Sequence, residues 1–191
     1  MSLPRLFLVA PDLPADALAP CLKAACAAGD VASLLVPSSA AKELTPIAQE
    51  LGVAVLVMDD AAAAMHHGCD GIQLAAEADT IAKARASMGK TAIIGAFAGN
   101  SRHFAMEAAE SGADYVALSQ KAHAIGGEPI VRWWAEFFEI PCVAFDPVTI
   151  ADLDTLLPQN PDFIRPDDAM WESPEAAHAI VSGLMQQLKA R

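Results

Sequence analysis

The chain has 191 residues, 54% of them apolar and 19% charged, enough for one domain with a sizeable core. Twelve Lys and Arg stand against 24 Asp and Glu, a formal net charge of −12, which repels phosphate backbones and anionic lipid and argues against a nucleic-acid or membrane-surface role. No apolar stretch approaches the roughly 20 residues of a membrane span, and the opening MSLPRLFLVAPDLP is too short for a signal-peptide core, so a first β-strand of a cytoplasmic protein is expected there.

From that point the chain alternates short β-rich runs with longer Ala-rich helical patterns. The expected strands are RLFLVA (5–10), VASLLV (31–36), VAVLVM (53–58), DGIQLA (70–75), TAIIGA (91–96), DYVALS (114–119), PCVAF (141–145) and DFIR (162–165). Most are continuous apolar runs, as parallel strands covered on both faces require. Gly52 and Gly112 precede two of them and suit the left-handed end of a helix. The last helix opens Ser173-Pro174-Glu175, a cap followed by Pro at the first helical position. Ala176, Ile180, Leu184 and Leu188 then form its expected inward stripe, as do Phe104 and Ala108 after the fifth strand. Cys21, Cys26, Cys69 and Cys142 form no CxxC pair and sit among Ala, Leu and Val, which predicts buried free thiols in a reducing cytosol.

Eight strand–helix units in residues 1–191 predict a single-domain (β/α)8 TIM barrel. A doubly wound open sheet would have five or six strands and commonly a glycine-rich first turn. The first turn here is Ala10-Pro11-Asp12, with no glycine.

In a barrel, function collects at the C-terminal ends of the strands. Read in order, those ends carry Asp12, Ser38-Ser39, Asp59-Asp60, Gln73 to Glu77, Phe97 to Asn100, Ser119-Gln120-Lys121 with His123, Asp146, and Arg165 to Asp168. Capping accounts for Ser39, Asp60 and Asn100 and leaves Asp59 free. Gln73, Ser119 and Asp146 are the candidate substrate contacts. Lys121 and His123 are the only basic groups on the loop after the sixth strand; they are the candidate catalytic groups, His123 because imidazole titrates near neutrality. Asp146-Pro147 also reads as cap and first residue of a seventh helix that buries Ile150, Leu153 and Leu157.

Three stretches in order, GCDGIQLAAEAD (68–79), IIGAFAGNSRHFAMEAAESGADYVALS (93–119) and PCVAF (141–145), resemble the thiamine phosphate synthase/TenI family of barrels. That family writes GADGVHLGQxD, IIGxSxH with GADYxGxGP, and PVxAIGGI at the matching places. The resemblance implies a reaction joining a pyrimidine pyrophosphate to a thiazole phosphate with Mg²⁺, and it makes Asp59 the expected metal ligand. Most of the family's other functional positions differ. Ser33 to Pro37 replace Gln-x-Arg-x-Lys, and Asp60 replaces an Arg. The second metal carboxylate is lost, unless Glu77 or Asp79 replaces it by a register shift. Phe97 stands for a Ser, Ser119-Gln120 for Gly-Pro, and Asp146-Pro147 for a Gly-Gly phosphate cradle. Proline has no N–H to donate to a phosphate, and an aspartate repels one.

The chain therefore reads as a divergent barrel binding a small, less anionic molecule. The alternatives are a working synthase using Asp59 for Mg²⁺ and Lys121 for phosphate, and a TenI-like isomerase or regulatory protein. The helix PIVRWWAEFFEI adds one more expectation. Trp133, Trp134, Phe137 and Phe138 are too many rings for one core stripe, so a homo-oligomer contact is expected there, with a fully buried helix as the alternative.

Overall fold

The computed structural model describes residues 3–121 and 127–190. Eight parallel strands close into a barrel in sequence order: β1 (Arg5–Val9), β2 (Val31–Val36), β3 (Ala54–Met58), β4 (Gly71–Ala75), β5 (Ile93–Gly99), β6 (Tyr115–Leu118), β7 (Cys142–Val148) and β8 (Phe163–Pro166). Between them lie α1 (Ala15–Ala28), α2 (Ser38–Glu50), α3 (Ala61–His66), α4 (Ala78–Met88), α5 (Arg102–Glu110), α6 (Ile130–Phe137), the short α7 (Leu153–Leu156) and the closing α8 (Pro174–Lys189). The expected (β/α)8 barrel is the fold, and all eight expected strands are present.

Alternation along the strands divides the core in two. Outward residues such as Leu34, Val55, Ile72, Ile94 and Val116 pack under the helices. Inward residues Phe7, Val9, Leu35, Leu56, Tyr115, Ala117 and Val143 fill the barrel itself. Both Gly52 and Gly112 have positive φ, 75° and 102°, the conformation their position before a strand demands.

Several local expectations change in three dimensions. The buried stripe of α8 is Ala177, Val181, Leu184 and Leu188, one step round from Ala176 and Ile180, because packing on α1 sets the rotation. On α5 Ala105 and Ala108 face inward, while Phe104 is half exposed. Asp60 does cap α3, accepting from Ala63 N–H at 2.8 Å. Asn100 does not cap α5; Ser101 does, from Phe104 N–H at 3.2 Å. Ser39 lies inside the first turn of α2 and donates to Asp12 at 2.9 Å. None of the four cysteines is paired; Cys21 and Cys142 are buried and the other two half-buried. Burial pushes the Cys142 thiol up to about 12, so it stays protonated and inert in the folded chain.

An aspartate stands immediately before each even-numbered strand. Asp70 accepts from Val55 N–H of β3 at 2.7 Å, Asp114 from Ile94 N–H of β5 at 2.7 Å, and Asp162 from Cys142 N–H of β7 at 2.8 Å. Asp30 instead takes the Arg5 guanidinium of β1 through two bonds of 2.8 Å. Each thus satisfies a donor at the start of the preceding strand. Asp162 also uses its carbonyl to accept from Arg5 N–H at 3.0 Å, across the β8–β1 seam, where only two residue pairs are in register. Asp162→Ala is expected to cost about 1–3 kcal/mol in urea unfolding, since it strands the Cys142 N–H. Asp162→Asn keeps an acceptor and is expected to lose well under half of that.

Candidate active site

The C-terminal mouth of the barrel is built from the last inward residue of each strand. Gln73 is buried in the middle of β4, level with Met58 on β3 and Gly95 on β5. Its side-chain carbonyl accepts from the Tyr115 hydroxyl at 2.8 Å. Gly95 makes that reach possible, because any Cβ there would collide with the Tyr115 ring. The Gln73 carbonyl is therefore committed to the barrel's internal scaffold.

Above it the mouth is apolar. Phe97 and Phe145 have ring centroids 5.2 Å apart, and Phe145 meets Phe7 below at 6.2 Å. Phe97 is 40% exposed and Met58 39%. These two inward residues on β3 and β5 offer a greasy surface to whatever enters from above.

The cations near this surface are committed. Arg165, its side chain only 17% exposed, places Nη2 at 2.7 Å from both oxygens of Asp168. It also donates to the Phe145 carbonyl at 3.3 Å and lies 5.3 Å from the Phe145 ring centre. Lys121 donates from Nζ to the Pro147 carbonyl at 2.7 Å and stands 3.6 Å from Asp152. Asp152 is held below the usual carboxylate range, first by the Thr149 N–H, then by the Thr149 hydroxyl, with Lys121 contributing less.

Asp146 neither caps a helix nor stands free. β7 runs on through Asp146 and Pro147 to Val148, with an irregularity in its pairing to β8 that accommodates the proline. The Gln120 side-chain amide pairs with the Asp146 backbone in both directions, at 2.9 and 2.7 Å, as a neighbouring strand would. The Asp146 carboxylate accepts from Lys121 N–H at 2.7 Å. The cap belongs to Thr149 and Asp152, a reciprocal box that opens a 3₁₀ turn over Ile150–Asp152. Ile150 is consequently 48% exposed and Leu156 joins Leu153 inside. The residues that read as a broken phosphate cradle fasten the loop after β6 to β7.

Ser119 gives its N–H to the Gly99 carbonyl at 2.9 Å. His123 lies outside the described residues. Asp59, exposed at the end of β3, has a φ of 52°, an uncommon left-handed conformation that Asp tolerates better than most residues. Its N–H bonds the Gln73 carbonyl at 3.0 Å. Glu77 accepts from Thr80 at 3.1 Å at the start of its own helix, and Asp79 sits exposed in the first turn of α4. Among the described residues no three His, Cys, Asp or Glu side chains converge to hold a metal. Glu77 and Asp79 therefore form no three-ligand cluster with Asp59, and a Mg²⁺ here would rest on Asp59 with substrate phosphate and water as its remaining ligands.

The aromatic helix also resolves differently from its sequence. Trp134 is fully buried, stacks on Phe138 at 4.0 Å and donates to the Ile140 carbonyl at 2.7 Å. Trp133 packs edge-on against Phe138, and Arg102 covers its face at 4.5 Å. Only Phe137 of the four rings is largely exposed, at 68%. The exposed aromatic area on this helix is thus smaller than the sequence suggests.

The family model for thiamine monophosphate synthase matches residues 9–164. The chain belongs to that family. It is 33% identical to a thiamine-phosphate synthase of Rhodospirillum centenum, over 93% of this chain and 94% of that protein. A thiamine-phosphate synthase of Hyphomonas neptunium is 34% identical, over 96% and 95%. Among solved structures, thiamine phosphate pyrophosphorylase from Pyrococcus furiosus superimposes with a TM-score of 0.78 at 20% identity, over 97% of this chain and 96% of that one. In this family member the end of the fifth strand is the aromatic Phe97, and Tyr115–Gln73 is the polar contact beneath the mouth.

Tyr115 is the sole tyrosine, and burial pushes its hydroxyl well above the usual tyrosine range, with nearby Asp114 adding to the shift. A folded-state pKa raised above the unfolded one stabilises the fold fully below the unfolded value, near pH ~10, and is lost as pH rises beyond it. Tyrosinate absorbance is expected to stay flat through pH ~10 in the native protein and to rise only with alkaline unfolding. A native-state step at the ordinary value would put this ring in water.

Proposed function

We propose that this chain is a divergent member of the thiamine monophosphate synthase family whose C-terminal mouth takes a planar, unphosphorylated small molecule, neutral or cationic. The observation that carries this reading is the mouth itself. An aromatic surface of Phe97 and Phe145 stands at the same end of the barrel as the exposed Met58 and Asp59 that finish β3. The nearby cations Lys121 and Arg165 are already engaged by Asp152 and Asp168. An aromatic surface suits the face of a heteroaromatic ring, and a ring cation adds attraction both to the π-faces and to the carboxylate. Phosphates need N–H groups or uncommitted cations, and the prolyl Asp146-Pro147 segment that replaces the glycine pair offers neither. The four unpaired cysteines are consistent with a cytoplasmic setting.

A second reading is favoured by the names of the relatives, which are synthases at 33% and 34% identity over nearly the whole chain. On that reading Asp59 helps to bring a Mg²⁺–pyrophosphate complex to the mouth, and Lys121 exchanges Asp152 for phosphate.

One assay separates the two. The purified protein is incubated with hydroxymethylpyrimidine pyrophosphate, thiazole phosphate and Mg²⁺, and thiamine phosphate is followed by fluorescence after oxidation. No product above the uncatalysed rate is expected. Turnover that disappears in Asp59→Ala would establish the synthase reading instead. In parallel titrations, hydroxymethylpyrimidine and the thiazole alcohol are expected to bind more tightly than their phosphorylated forms, and Phe97→Ala to weaken them about tenfold, the scale of one lost aromatic contact.

A further inference from the structure

The opposite end of the barrel holds a cavity of about 330 Å³ at the N-terminal ends of the strands. Its roof is Phe7 and Tyr115, whose rings lie 5.6 Å apart, and its walls include Leu56, Val143 and Phe163. The space arises from two neighbouring strands. Ser33 on β2 and Ala54 on β3 are paired in register, and they present a hydroxymethyl and a methyl to a barrel layer ordinarily filled by bulky branched side chains.

Ser33 is only 9% exposed, lines this cavity, and its hydroxyl has no hydrogen-bond partner among the described residues. The hydroxyl is not sealed from solvent, since among the described residues only Gln159 Oε1 is a buried side-chain atom without a partner, and it faces largely apolar space with room for a ligand that offers it one. The charges at the opening are not available to a ligand. Arg5 is held by Asp30, and Asp114 by Arg85.

We infer that this floor cavity, bounded by Phe7, Tyr115, Ala54 and the unpartnered Ser33, is a second binding site for a neutral bicyclic or similarly sized apolar molecule carrying one hydrogen-bonding group. The size follows from volume, since a dry cavity of roughly 150 Å³ accommodates benzene, and this one has about twice the room. Neutrality follows from the paired rim, and the single polar group from the single free hydroxyl. The inference is independent of what the C-terminal mouth binds.

Indole and indene are the probes, matched in shape but differing in the N–H group. Each is titrated against the full chain by ligand-observed NMR. Indole is expected to saturate, and to bind about threefold to tenfold more tightly than indene, the range of one neutral hydrogen bond. Ser33→Ala is expected to abolish that preference while leaving indene affinity unchanged. Ala54→Leu fills the cavity and is expected to weaken both probes at least tenfold with native circular dichroism retained. Failure of indole to saturate at millimolar concentration would overturn the inference. So would undiminished binding by a folded Ala54→Leu. If that variant does not fold, the indole-to-indene ratio decides: a ratio that Ser33→Ala leaves intact places the probes elsewhere and rejects the site.

Discussion

Closing eight parallel strands into a barrel leaves the first N–H groups of the strands at the floor, and three of the four aspartates before the even strands offer them a carboxylate. Asp70, Asp114 and Asp162 each accept a backbone N–H from the preceding strand, while Asp30 ties β2 to the Arg5 side chain of β1. A charged acceptor on a partly buried amide is stronger than a neutral one and sets the stagger between neighbours. That stagger then decides which residues point inward. A one-residue slip of β2 against β3 would exchange Ser33 and Leu35 for Leu34 and Val36, and the inner core would be a different one.

The inner core in turn determines the two mouths. Tyr115 reaches Gln73 across Gly95 and divides the barrel. Above this contact the aromatic stack of Phe145 and Phe97 forms the candidate site. Below it, small side chains at Ser33 and Ala54 leave a cavity. Phe97 and Phe145 give the upper mouth aromatic area, and the Asp146 carboxylate is engaged by its own loop. Lys121 and Arg165 are paired with local acids, and Gln120 and Lys121 are fastened to β7 by Asp146.

Much of this was legible in the sequence because it is local or periodic. The eight apolar runs, the glycines before β3 and β6, and the family phrases around 68–79 and 93–119 all survive folding nearly unchanged. That Pro147 has no N–H to donate was visible for the same reason, being a statement about residue chemistry at one position.

What only the tertiary structure decided were pairings between residues distant in sequence. Gln73 looked like a rim contact, and Tyr115, 42 positions away, commits its carbonyl to the scaffold. Asp146 looked like a helix cap, and Gln120 and Lys121 made it a loop anchor. One face of the aromatic helix was expected to be exposed, and the stacking of Phe138 on Trp134 with Arg102 over Trp133 leaves only Phe137 largely so. The sequence by itself determined the strands, their order and the chemistry available at their ends, because backbone preference and hydrophobic period act over a few residues. Which side chains are free to meet a ligand was settled by closure of the barrel, because a hydrogen bond or a ring contact across strands exists only once the register is set.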